Sequence, residues 1–206
     1  MKKIFSVLAI AIFLISCSSA QVPDSIELKT GDVVFQDFNS GLNTPIKLIT
    51  KSKYSHVGMV VMVDGKPKIL EAVQPVRLAD PKEWISRHPN NEFVLKRHKN
   101  ADSIITSKMT AKIESFYKKQ LGKNYDIKFA WTDKDMYCSE LVWKVYKEVL
   151  NTSVGKQQKL KNLDASHPAV QAKLKELFGN DIPWNETVVS PQDIFVCKDL
   201  ELIYQQ

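Results

Sequence analysis

The sequence predicts an α+β protein whose mainly antiparallel sheet packs on helices. Three observations give that class. β-branched, strand-like runs fall early, at 28–36, 55–73 and 92–99. Helical periodicity governs 104–121 and 138–150. Strands that come first and helices second are the order of an α+β fold, not of alternating βαβ units. The composition, 44% hydrophobic and 25% charged, is that of a globular chain, and 206 residues suffice for one core of good size. No internal repeat or low-complexity tract divides it.

In chain order, MKKIFSVLAIAIFLISC (1–17) has two lysines, an apolar run and small residues. That is a secretory signal, too short to span a bilayer. Its end, Leu14-Ile15-Ser16-Cys17, resembles the lipobox of bacterial lipoproteins. The resemblance implies a signal peptide of residues 1–16 and lipidation of Cys17. The alternative is an ordinary signal peptide, residues 1–20, cut after Ser18-Ser19-Ala20. Both make the protein exported and periplasmic; acyl chains on Cys17 would anchor it without a spanning helix. Ser18, where a retention aspartate would stand, favours the outer membrane under enterobacterial sorting. The remainder, 22–206, is read as a single domain.

LKTGDVVFQ (28–36) is a turn followed by a strand, and a short helix is expected at Pro45–Thr50. SHVGMVVMVDGKPKILEAV (55–73) is the clearest hairpin, since Asp64-Gly65 is a strong tight-turn signal between two β-rich runs. EFVLKRHK (92–99) is a further strand. A lysine-rich amphipathic helix over 104–121 stops at Gly122. Leu141, Val142, Val145 and Val149 mark one face of a helix from about 138 to 150. One or two helices are expected around Pro168 within 155–179, and Ser190-Pro191 caps a turn before a last strand near 194–204.

The formal charge is +6, and loss of Lys2 and Lys3 with the signal leaves +4. The lysines are scattered over 96–175 without interleaved aromatic platforms, so no nucleic acid is expected as partner. A solvated surface tolerant of anionic lipid or cell-wall polymer fits better. Metal and nucleotide cofactors are not expected: there is no CxxC, no HExxH and no glycine-rich phosphate loop. Export would permit a Cys138–Cys197 disulfide, although a core of this size does not need one.

Cys138 stands where its helix begins, with Glu140 in the first turn. It is either a small apolar residue of the stripe or a thiol activated by the helix N-terminus. A nucleophile needs a base. His88, His98 and His167 stand in surface or capping settings, next to prolines or among Lys96, Arg97 and Lys99. His56 instead begins an apolar strand. A two-residue turn at Asp64-Gly65 pairs Val63 with Lys66 and hence His56 with Val73. Glu71 then lies diagonally from His56 on the same face, roughly 7–8 Å away and within reach of long side chains. A carboxylate between Leu70 and Ala72 is costly without a partner, unless it faces outward at an edge.

GDVVFQ (31–36), YSHVGMV (54–60), ILEAV (69–73), LGKNYD (121–126), YCSELVWKVY (137–146) and VVSPQDIF (188–195) occur in one order over most of the chain. In these pieces the chain resembles the YiiX/YaeF group of permuted papain-like amidases, a circularly permuted branch of the NlpC/P60 hydrolases. The histidine strand precedes the cysteine helix, the reverse of ordinary papain-like enzymes. The resemblance implies Cys138 as nucleophile, His56 as base and Glu71 as third member, with Tyr125 near the site as a substrate-binding or oxyanion residue. It implies a cysteine hydrolase acting on amide bonds, with cell-wall stem peptides as the first-guess substrate. Lipid acyl transfer or hydrolysis on the same triad is the alternative. A non-catalytic ligand-binding lipoprotein is the third reading, and the intact triad argues against it.

Overall fold

The tight turn at Asp64-Gly65 sets the sheet. Both residues have positive φ, 49° and 74°, the backbone that a two-residue type I′ hairpin demands. It joins β2 (His56–Val63) to β3 (Lys66–Glu71), with Val63 opposite Lys66 and Met59 opposite Leu70. This is the register read from the sequence. In this computed structural model, residues 20–38 and 40–206 are described, so the signal segment and Cys17 lie outside the described residues.

β1 (Val33–Gln36), β4 (Arg77–Ala79), β5 (Val94–His98) and β8 (Leu200–Gln205) complete an antiparallel sheet of order β4-β3-β2-β1-β5-β8. A separate ribbon pairs β6 (Gln158–Lys159) with β7 (Thr187–Val188). The helices are α1 (Asn43–Thr50), α2 (Pro81–Ile85), α3 (Ala101–Ile104), α4 (Ser107–Gln120), α5 (Cys138–Lys144), α6 (Pro168–Phe178) and α7 (Pro191–Phe195). α5 runs on into a π turn at Val145–Val149, so the helical stretch ends where the apolar stripe ends.

Strand alternation divides the sheet's side chains between two cores. Val33, Phe35, Val57, Met59 and Leu70 pack with Leu141, Val142 and Val145 of the α5 stretch, and with Ile113 and Tyr117 of α4. Val34, Val60, Ile69 and Leu95 face the other way, onto Trp84, Ile85 and Phe93, with Val22, Ile26 and Leu28 of the leader alongside. A third, smaller cluster joins α1 to α6 through Leu48, Ile49, Val170 and Leu174.

Two expectations shift. The stretch before Pro168 is not helical beyond a single 3-10 turn at Leu160–Asn162; β6 occupies part of it instead. The last strand begins at Leu200 rather than near 194, because the Ser190–Asp193 capping box and Pro191 start α7, which takes Ile194 and Phe195. β4 and α2 were not anticipated. α2 is five residues long, too short for periodicity, yet Asp80 caps it on the Lys82 N–H and Pro81 opens it.

Gly58 follows His56 by two residues in β2. A Cβ there would stand 2.7 Å from Ile69 Cγ2 and 3.1 Å from the Leu70 carbonyl oxygen. Replacement by alanine therefore forces β2 and β3 apart beside the site. Gly58→Ala should cost roughly 1–3 kcal/mol, as overpacked cores do. Urea denaturation reads this directly, and an unchanged midpoint would contradict the tight packing of the hairpin.

Candidate active site

His56 is the first residue of β2 and Glu71 the last of β3, so both stand at one end of the hairpin. They share strand parity with Val60 and Ile69, on the α2 side of the sheet. The sequence-derived diagonal becomes a direct contact: His56 Nε2 lies 2.8 Å from Glu71 Oε2, with both side chains buried. Nδ1 is left for the Cys138 sulfur, which hydrogen-bonds with the imidazole. Cys138 comes from the α5 side and is itself only 2% exposed. The backbone N–H groups of Val57 and Ser139 also point at its sulfur. The structure thus brings Cys138, His56 and Glu71 together.

The electrostatics follow from these contacts. Burial disfavours the imidazolium, but hydrogen bonds and charges from Cys138 and Glu71 outweigh it and hold His56 at about 9. Burial likewise disfavours the thiolate, yet the hydrogen bond and charge of His56, with the Val57 and Ser139 amides, bring Cys138 below its ordinary value. Glu71 is opposed by burial, but His56 and Arg87 draw it down to about 2. These shifts favour a thiolate–imidazolium pair backed by a carboxylate. The pair is lost on the alkaline side as pH rises through about 9, where the imidazolium gives up its proton.

Tyr125 also reaches Cys138 with its hydroxyl. Its backbone N–H donates to Gln74 Oε1 at 2.7 Å, and Gln74 Nε2 donates to Asn124 Oδ1 at 2.8 Å, which fixes the loop end. Burial and the neighbouring thiolate push the phenol well above its ordinary range, so it stays a proton donor.

The helix start is tied down as well. The Glu140 carboxylate accepts from the Tyr137 N–H at 3.4 Å and faces Lys144 Nζ at 2.8 Å. Burial pushes Glu140 up to about 7. Lys144 also contacts Asp133 Oδ1 at 2.7 Å and lies 5.4 Å from the Trp131 ring, joining α5 to the loop after Tyr125. Sequence reading gave Glu140 its place but not Lys144, a buried cation one turn further along the helix.

Several residues against the histidine and glutamate were missed. The imidazole lies between the rings of Phe38, at 5.2 Å, and Trp84, at 6.2 Å. Arg87 and Arg77 both hold Glu71. Asp80-Pro81, with Glu83 three residues after the aspartate, was the available signal for α2, which positions Trp84 and Arg87. The other histidines sit as capping groups. His88 Nδ1 and His167 Nδ1 accept backbone N–H groups, and His98 Nδ1 accepts that of Asn100. His98 is not on the surface, however; it is buried against the Tyr146 ring.

Cys138 is among the residues lining an apolar cleft of about 90 Å³. Pro45, Ile46 and Ile49 of α1 line one wall, and Val170, Leu174 and Phe178 of α6 another. Cys138 and Cys197 are both free thiols, so the two do not form a disulfide.

This geometry makes Cys138 the reactive thiol. Iodoacetamide at pH 6, read by peptide mapping, should label Cys138 at least about tenfold faster than Cys197, because only Cys138 has an imidazole to take its proton. Equal labelling would contradict the ion pair.

Residues 27–204 match the family described as Permuted papain-like amidase enzyme, YaeF/YiiX, C92 family. The "Uncharacterized protein YiiX" of Escherichia coli (strain K12) is 43% identical over 178 residues, 86% of this chain and 87% of that protein. The crystal structure titled metalloprotein yiiX from Escherichia coli O157:H7 superposes with a TM-score of 0.82 at 44% identity, covering 87% of this chain and 98% of that one. That relative is described as a metalloprotein. Here no three His, Cys, Asp or Glu side chains converge as a ligand set among the described residues, and both His56 ring nitrogens are already engaged. The donor set does not fit a metal. With a buried thiol, imidazole and carboxylate in one row, and a match over nearly all of the described chain, the protein belongs to the permuted papain-like amidases, the C92 family of cysteine amidase/peptidase-type hydrolases.

Proposed function

We propose that the protein is an exported thiol hydrolase that cleaves the amide bond of a substrate carrying an apolar acyl chain. The observation that carries the choice of substrate is the cleft that Cys138 lines, walled by aliphatic side chains of α1 and α6. Its volume of about 90 Å³ is small beside the roughly 300–1,000 Å³ of drug-sized ligand sites. A narrow chain fits it better than a branched, charged cell-wall stem peptide. The stem peptide remains the second reading, favoured by the exported setting that the signal segment implies.

The Cys138 thiolate attacks the amide carbonyl, forming a C–S bond and a tetrahedral oxyanion. The Cys138 backbone N–H at the start of α5 and the protonated Tyr125 hydroxyl are the donors offered to that oxygen. His56 gives its proton to the leaving nitrogen as the C–N bond breaks, which leaves a thioester. His56 then takes a proton from water, which attacks the thioester; the acid leaves and Cys138 is free again. Glu71 keeps the imidazole oriented through both steps.

Incubation of the mature protein with N-acyl amides of increasing chain length, and with muropeptides in parallel, tests this reading, with Cys138→Ala as control. Turnover should rise with chain length, and Leu174→Trp, which fills the cleft, should abolish that dependence while sparing short-chain amides. Cleavage of muropeptides alone would overturn the acyl reading.

Anchoring follows the same setting. With Cys17 acylated, the exported protein partitions into detergent, and Cys17→Ser blocks this. A mature N-terminus at Gln21, read by mass spectrometry, would place the protein free in the periplasm instead.

A further inference from the structure

Glu71 has no exposed surface, yet a single imidazole contact leaves most of its hydrogen-bonding capacity unused. Arg87 fills it. Nη1 donates to Oε2 at 2.7 Å and Nη2 to Oε1 at 2.7 Å, a two-point grip on both carboxylate oxygens. The Arg87 side chain is 14% exposed, and its Cζ lies 5.6 Å from the ring of Phe38, the same ring that packs on His56. Arg77 adds one bond, Nε to Oε1 at 3.1 Å, from a side chain 41% exposed. Glu83 accepts from both arginines, at 2.7 Å from Arg77 and 3.0 Å from Arg87.

We propose that Arg87 is a positioning residue of the hydrolase: its guanidinium neutralises Glu71 and locks the carboxylate plane, so that the row from Cys138 to Glu83 carries no net charge. In the resting state the signs along that row are thiolate, imidazolium, carboxylate, two guanidiniums and carboxylate. Their sum is zero. A thiolate–imidazolium pair backed by a bare carboxylate would instead bury one uncompensated negative charge, at large cost. With Arg87 opposite, Glu71 orients the imidazole while holding its proton less tightly than a bare carboxylate would, and His56 must surrender that proton to the leaving group. This role rests on the triad reading above. The titratable groups facing the row are Tyr125 beside Cys138, and Arg77 and Glu83 beside Arg87.

The sign of each effect can be worked out. Arg87→Met removes a positive charge, so every proton in the row is held more tightly and both apparent pKa values of the Cys138–His56 pair rise. Glu71→Gln removes a negative charge and lowers them. The double variant is again neutral and should return close to wild type. Neighbouring opposite charges move such groups by about 1–3 units, and a shift of about one is expected here, or tenfold in alkylation rate on the acid limb. Arg87→Lys keeps the charge without the two-point grip and should restore only part of the profile.

Alkylation of Cys138 against pH needs no substrate and reads all five proteins. Thermal melting of the same set supplies a second readout. Arg87→Met should lower the melting temperature in the wild-type background and raise it in Glu71→Gln, where the guanidinium has lost its buried counter-charge and keeps only the half-exposed Glu83. A role in packing alone predicts the same loss in both backgrounds and no shift of the profile, which would overturn the proposal. A wild-type Cys138 that alkylates like a free thiol would instead bring down the triad reading itself.

Discussion

The arrangement depends on one buried contact, the 2.8 Å hydrogen bond between His56 and Glu71. A carboxylate without solvent is tolerated only when its charge is answered, and here the imidazole and two guanidiniums answer it. The same bond fixes which ring nitrogen faces Cys138: Nε2–H is given to the carboxylate, so Nδ1 is the nitrogen that takes the thiol proton. From that choice come the raised imidazole, the lowered thiol and the ionised resting state. Removing the carboxylate would leave the histidine free to turn between Phe38 and Trp84, its flanking rings.

That contact was legible before any coordinates because it is a matter of register. Asp64-Gly65 dictates a two-residue turn, the turn dictates which residues oppose, and parity puts positions 56 and 71 on one face. Cys138 at a helix start was legible too, from the point where its apolar stripe begins. That the His56 imidazole would face its sulfur was not. The supporting shell was not readable either: Arg87, Trp84 and Phe38 converge from segments with no common period, and α2 is a single turn. Lys144 shows the same limit, since its position on the helix wheel suggested solvent while Glu140, Asp133 and Trp131 enclose it.

The cleft belongs to the same class of feature. Its walls come from α1 and α6, more than a hundred residues apart, and each helix alone reads as an ordinary amphipathic segment. Only their packing through Leu48, Ile49, Val170 and Leu174, next to the start of α5, places an aliphatic slot beside a thiolate. The permuted order fits this economy. The histidine hairpin is built from local contacts, and the cysteine helix packs across it.

The protonation state of His56 is the most direct measure of the central contact. Nitrogen NMR of histidine-labelled protein, titrated with base, should show the His56 ring as imidazolium through neutral pH, losing its proton near 9. In Cys138→Ser, with no thiolate to answer, that midpoint should fall. An imidazole that titrates near 6.5 in the wild-type protein, unmoved by loss of the thiol, would contradict the buried ion pair.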